Sequence, residues 1–232
     1  MGYKNVTISS GHGLKVRGAS GYLDEVNEAR KVVDKVAEYL KQLGVTVNVF
    51  HDNTSTTQST NLQTIVNFHN KTTRDLDISI HFNANKTTSS PMGTEVLHYN
   101  AAGLASSISK AIAKAGGFKD RGGKQRKDLY FLKKTTKTAI LIEVCFVDSS
   151  ADRDLYKKNF EAICKAIAEQ ISGKVLSIPQ PPKTSPQANT GASDGVFYRV
   201  ITGSFENKEL AEKRMTELKK AGFDSFLLPY KK

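Results

Sequence analysis

The sequence predicts an α/β protein with a mainly parallel sheet flanked by helices, followed by a small C-terminal β-α-β unit. Three observations carry that prediction. Strand-like and helix-like hydrophobic periods alternate through residues 1–175. One strand candidate, AILIEVCF, is an almost unbroken apolar run, the pattern of a strand covered on both faces of a parallel sheet. The composition then breaks once, over Ser177–Gly195, where Pro179, Pro181, Pro182 and Pro186 occur without a single aromatic. The expected organisation is a catalytic domain at 1–175, a Pro/Ser/Gly-rich linker at 176–195 and a small unit at 196–232.

The elements follow in order. Val6–Ser9 reads as a strand and Gly11-His12-Gly13 as a turn. Ala29, Val32, Val33, Val36, Ala37, Leu40 and Leu43 form one apolar stripe at helical spacing, with Gly44 placed to end that helix. Val45–Phe50 is a strand, Leu62–His69 a helix, and Asp77–Phe82 a strand by alternation. Strand Thr94–Tyr99, a helix around Leu104–Lys114, strand Ala139–Phe146 and a helix from Asp152 to Ile171 complete the large domain. Leu129–Leu132 reads as a strand or turn. The tail reads as strand Phe197–Thr202, helix Lys208–Ala221 and strand Ser225–Leu228.

Composition removes several classes of protein. A hydrophobic fraction of 38% excludes wholesale disorder, and no run of eighteen apolar residues spans a bilayer. MGYKNVTISS lacks the apolar core of a signal peptide, so synthesis in the cytoplasm without an export address is the expectation. Two cysteines, Cys145 and Cys164, argue against a disulfide framework or a thiolate metal site. A net charge of +11 favours a polyanionic partner, nucleic acid or an anionic bacterial wall.

Chemistry is sought where polar residues occupy apolar places. At 100° per residue Glu25 falls near the middle of the first helix's apolar stripe and Glu28 near its edge. His81 and Asn83 share the face of their strand opposite Ile78, Ile80 and Phe82. Glu143 interrupts AILIEVCF, and His12 sits in the turn after the first strand. All four lie at strand carboxyl ends or a helix start, where open α/β sheets place their ligand crevice. Two histidines and a carboxylate match an open zinc site, and a further unligated carboxylate suits proton transfer. The plainer alternative is a turn residue, a capping carboxylate and a core histidine. His51, His69 and His98 read as surface or strand-end residues, and both cysteines as buried filler.

The runs ISSGHGLKVRGASGYLDE, SIHFNA and AILIEVCFVD resemble the zinc-dependent N-acetylmuramoyl-L-alanine amidases of autolysins and phage endolysins. The resemblance covers residues 3–172 and implies one Zn2+ held by His12, Glu25 and His81, with Glu143 catalytic. It implies hydrolysis of the amide between the lactyl group of N-acetylmuramic acid and L-alanine of peptidoglycan, by a phage endolysin or a sporulation autolysin. A zinc peptidase acting within the stem peptide, or a non-enzymatic wall-binding protein, is the alternative. Ser9-Ser10 stands where that family usually has Asp-Pro. The tail is similar to one β-α-β unit of the sporulation-related repeat (SPOR) domain, which implies binding to glycan strands. One such unit is too small to be stable alone, so it is expected to pair as a homodimer or to dock on the amidase domain. Neither nucleic acid nor membrane is an expected partner.

Overall fold

A computed structural model describes residues 2–176, 203–220, 223 and 225–229. The chain divides into two compact units, Met1–Gln180 and Pro181–Lys232. The first contains β1 (Asn5–Ser10), α1 (Glu25–Gln42), β2 (Thr46–Phe50), α2 (Gln58–Lys71), β3 (Leu76–Asn83) and β4 (Thr94–His98). It continues with α3 (Ala102–Gly116), β5 (Asp120–Gln125), α4 (Tyr130–Lys134), β6 (Thr138–Phe146) and α5 (Ser150–Ser172).

The six strands form one sheet in the order β2-β1-β3-β6-β4-β5. Pairing is parallel except between β4 and β6, so the sheet is mostly parallel but mixed. The two faces differ in chemistry. Val6 and Ile8 of β1, Ile78, Ile80 and Phe82 of β3, and Ile140, Ile142 and Val144 of β6 join a large apolar core. The buried stripe of α1 (Ala29, Val32, Val33, Val36, Ala37, Leu40) and the buried residues of α3 and α5 complete it. The opposite face carries Thr7, Ser9, Asp77, Ser79 and Glu95, all buried and polar. Among the described residues only the shorter α2 and α4 cover it, through a small cluster built on Ile65, Val66, Phe131 and Leu132.

Two local expectations change. Leu129–Leu132 is neither strand nor turn: Tyr130–Lys134 is a short helix, which buries Phe131 and Leu132 against the second face. Asp120–Gln125 is an edge strand with no counterpart in the sequence reading. Its sequence, DRGGKQ, has no apolar alternation, because its pairing with β4 supplies the order that its side chains do not.

In the second unit α6 spans Lys208–Lys220. No described residue of this unit is buried, and Leu210, Phe226 and Leu228 are exposed. The expected linker and the strand Phe197–Thr202 lie outside the described residues. Ser225–Leu228 belongs to no strand among the described residues.

One buried carboxylate ties the frame together. Asp152, fully buried near the start of α5, accepts from the backbone N–H groups of Met92 (3.0 Å), Gly93 (3.0 Å) and Phe146 (3.1 Å). It thereby joins the end of β6 to the approach to β4. Replacing Asp152 by Ala strands three backbone donors, two of them buried, and should lower the unfolding free energy by about 3 kcal/mol or more. The reading is a lower denaturant midpoint at an unchanged m-value.

Candidate metal and catalytic site

The site forms at the carboxyl ends of β1, β3 and β6, three strands that are neighbours in the sheet. After β1 the chain turns sharply, with Gly11 N–H donating to Ile80 O (2.9 Å) and Leu14 N–H to Asp52 O (2.8 Å). The turn aims His12 inward. Gly11 is obligatory by space, since a Cβ there would lie 1.7 Å from Nε2 of His81. Gly18 adopts φ +70°, a left-handed conformation that glycine tolerates. A Cβ on it would lie 2.4 Å from Glu25 Oε2, and the next residue, Ala19, donates its N–H to that oxygen at 2.7 Å.

Glu25 is the first residue of α1, where the helix dipole favours a carboxylate. Its Oε1 accepts from Phe82 N–H (3.2 Å), and lies 3.1 Å from His81 Nδ1 and 3.4 Å from His12 Nε2. The two imidazole rings meet edge to face at 5.0 Å. Their side chains are 21% and 15% exposed against 4% for Glu25, so solvent reaches the site from the histidine side. Burial penalises the Glu25 carboxylate, but the hydrogen bond from His81 and both histidines outweigh it and hold its pKa below the ordinary value. Burial opposes protonation of His81 too, yet Glu25 and Glu143 raise its pKa. Burial, followed by His81, lowers that of His12.

One donor atom from each of His12, Glu25 and His81 lies within 4.8 Å of the others. Two imidazole nitrogens and one carboxylate oxygen form a donor set suited to a divalent transition-type cation. Neither Lys nor Arg pairs with Glu25 among the described residues, although its side chain is nearly fully buried. The chemistry of the three side chains therefore fits a metal ion. Glu28 is elsewhere: it accepts from Tyr156 Oη at 3.0 Å and from Lys31 at 2.8 Å.

Glu143 is the Cα partner of His81 across β3–β6 and of Glu95 across β4–β6. Its Oε2 is buried without a hydrogen-bond partner. Burial, opposed by His81 and reinforced by Glu25 and Glu95, pushes its pKa up to about 7. It borders two cavities. One, of about 260 Å³, is also lined by His12, His81, Leu129 and Tyr130. The other, of about 340 Å³, is lined by Asn83, Glu95, Arg121 and Arg126.

Sequence reasoning missed Glu95. It accepts from Arg121 Nε and Lys124 Nζ (both 2.6 Å) and from Asn83 Nδ2 (3.1 Å). The signal was present in TEVLH, a carboxylate inside a short buried strand, like Glu143 in its own strand. His69 is not a surface or strand-end residue. It is fully buried in α2, where Nδ1 meets Asp77 (2.8 Å) and Nε2 meets Ser9 (2.9 Å). His51 and His98 do sit at strand ends, and both cysteines are buried and free. Ser10, one of the two serines before the GHG turn, bonds His51 Nδ1 at 3.0 Å.

The chain is 34% identical over 182 residues to an uncharacterized protein of Clostridium perfringens (strain 13 / Type A), covering 74% of this chain and 52% of that protein. It is 30% identical to an uncharacterized 38.4 kDa protein of Clostridium perfringens, covering 92% and 66%. The chain thus spans about half to two thirds the length of the curated relatives it matches. Among solved structures, the catalytic domain of CD27L endolysin targeting Clostridia Difficile aligns with a TM-score of 0.68 and 29% identity, covering 75% of this chain and 99% of that one. The catalytic domain of CwlV, an N-acetylmuramoyl-L-alanine amidase from Bacillus (Paenibacillus) polymyxa var. colistinus, aligns with a TM-score of 0.60 and 26% identity, covering 72% and 96%. A SPOR domain model matches residues 165–229, the first few of which lie in α5, where Ile167, Ala168 and Ile171 pack into the core of the first unit. The N-acetylmuramoyl-L-alanine amidase model matches residues 6–173, well over half of the 232, and the chain belongs to that family.

Proposed function

We propose that this chain is a zinc-dependent N-acetylmuramoyl-L-alanine amidase, cleaving the bond between the lactyl carbonyl of N-acetylmuramic acid and L-alanine in peptidoglycan. The observation that carries the reading is Glu143, a buried carboxylate with an unpartnered oxygen, beside the His12–Glu25–His81 donor set. His12, Glu25 and His81 would hold one Zn2+, which supplies a positive charge to polarise the amide carbonyl and to acidify water. Glu143 takes a proton from the attacking water and delivers it to the departing alanine nitrogen as the C–N bond breaks. The products are a carboxylate on the glycan and a free amine on the stem peptide. Burial of Glu143 raises its affinity for that proton, which is what a base working near neutrality needs. The chain then acts on the wall as an endolysin or autolysin, and among the described residues no helix is long and apolar enough to cross a membrane. The SPOR match supports a second role for the tail, retention on glycan strands; the small size of the unit is the argument for its pairing with a second copy, or docking, to reach a stable fold.

Digestion of Gram-positive peptidoglycan should release new L-alanine amino ends without new reducing sugars, and a chelator should abolish the release. Glu143→Gln should lower the rate by about 10²–10⁴-fold while keeping one metal ion per chain, whereas His81→Ala should lose the ion. Ends other than L-alanine would replace the amidase by a peptidase.

Activity should fall as pH drops from neutrality into the acid range. A pKa raised to about 7 means that Glu143 is ionised and basic above that value and protonated below it. Protonation of the histidines acts in the same direction by releasing the ion, and the charge of a bound ion draws the acid limb lower. A pH–rate profile still at its maximum near about pH 4 would contradict this arrangement.

Removing residues 177–232 should abolish retention on insoluble walls while sparing hydrolysis of a soluble muramoyl peptide. Sedimentation velocity on both forms should show association only in the full chain.

A further inference from the structure

Glu143 borders two cavities of different character. The cavity shared with the histidines includes Leu62, Leu97, Leu129 and Tyr130 in its lining, whereas the other sets Arg121 and Arg126 against Glu95 and Glu143. Arg121 of that lining and Lys124, outside it, both bond Glu95, so two cations answer that carboxylate. Arg126 adds a third positive charge and lines both cavities. Its guanidinium pairs with Asp128, bidentately at 2.9 and 2.7 Å, and the Asp128 side chain is 66% exposed. An exposed pair of this kind contributes about 0–1 kcal/mol, so an incoming carboxylate can exchange with it.

The substrate has one matching group. On the acyl side of the scissile amide the muramic carboxyl is consumed in the bond, and N-acetyl sugars are uncharged. On the amine side, the residue after L-alanine is acidic, one Cα spacing of about 3.8 Å further along the chain. Its carboxylate is the charged group nearest the reacting atoms. A guanidinium fork beside the base is the geometry that recognises a carboxylate bidentately and a carboxamide less well.

Resting on the amidase reading, we propose that Arg126 is a specificity-determining residue that binds the carboxylate of the second stem-peptide residue in the cavity that Arg121 and Arg126 line. The cavity thereby takes the peptide side of the substrate, and the chain prefers a free carboxylate to its carboxamide at that position.

The test compares two soluble substrates, N-acetylmuramoyl-L-alanyl-D-glutamate and its D-isoglutamine counterpart, which differ by a carboxylate against a carboxamide. The zinc-loaded full chain should favour the carboxylate by about tenfold in kcat/KM, mostly through KM. Arg126→Gln should bring that ratio towards one, Arg126→Lys should give an intermediate ratio, and Asp128→Asn should keep or increase it. Equal preference in the unaltered chain, or an Arg126→Gln loss of the same size on both substrates, overturns the proposal. The second result is also what a misfolded variant would give, so circular dichroism accompanies each variant. Failure of the unaltered chain to cleave either substrate overturns the amidase reading, and the subsite with it.

Discussion

The structure around the site depends on one constraint: a carboxylate, Glu25, is buried at the first turn of α1 and must be matched. Two backbone donors, Ala19 and Phe82, and two imidazoles from separate strands meet it. Each match restricts the chain elsewhere. The Ala19 donor requires the left-handed Gly18. The Phe82 donor and His81 require the end of β3 to lie against the start of α1. His12 requires a turn after β1 tight enough that Gly11 can carry no Cβ beside the His81 ring. The glycines, the strand end and the helix start are therefore solutions to a single desolvation problem.

The sheet makes that solution available by dividing its faces. The three long helices cover an almost purely aliphatic face, which supplies the burial that holds the domain together. The polar face is thinly covered, and towards the carboxyl ends of the strands it opens between α2, α4 and the loops. Since β1, β3 and β6 are adjacent, His12, His81 and Glu143 arise side by side from three strand ends. The antiparallel β4 then lies on the far side of β6 and sets Glu95 opposite Glu143. Glu95 is held ionised by Arg121 and Lys124, which lower its pKa against the cost of burial. A negative charge is thus fixed next to Glu143, one reason its proton affinity is high.

Much of this was legible in the sequence because the signals were local. The stripe of α1, the alternation of β3 and the apolar run of β6 each fix a face, and a charged residue on the wrong face stands out. The helix wheel sets Glu25 nearer the middle of that stripe than Glu28, in agreement with the choice that the family resemblance implies. Less legible were features whose order comes from a neighbour. The edge strand β5 is written in glycine and charge, and α4 is a single turn held by Phe131 and Leu132. His69 looked peripheral because its partners, Ser9 and Asp77, are distant in sequence and only the parallel pairing of β1 and β3 brings them together. The bulge between His81 and Asn83 likewise has no sequence mark.

The same sheet face carries two carboxylate–histidine clusters, and their contrast says what each is for. In the first, Asp77 accepts from His69 and from both Nε and Nη2 of Arg74 (2.7 and 3.0 Å), while Ser9 meets the far nitrogen of His69. The Asp77 and His69 side chains are 0% exposed, and Arg74 is 3% exposed. Its charges close among themselves, as a buried structural network must. In the second, Glu25 meets two imidazoles and neither guanidinium nor ammonium, the histidines face solvent, and atoms of His12 and Glu143 are left without partners. Residue types and setting are similar, and the difference is closure. A network complete within the chain is part of the scaffold, whereas one that leaves donor atoms unpaired and opens onto solvent has room for a partner from outside, which is what the proposed role of His12, Glu25 and His81 requires.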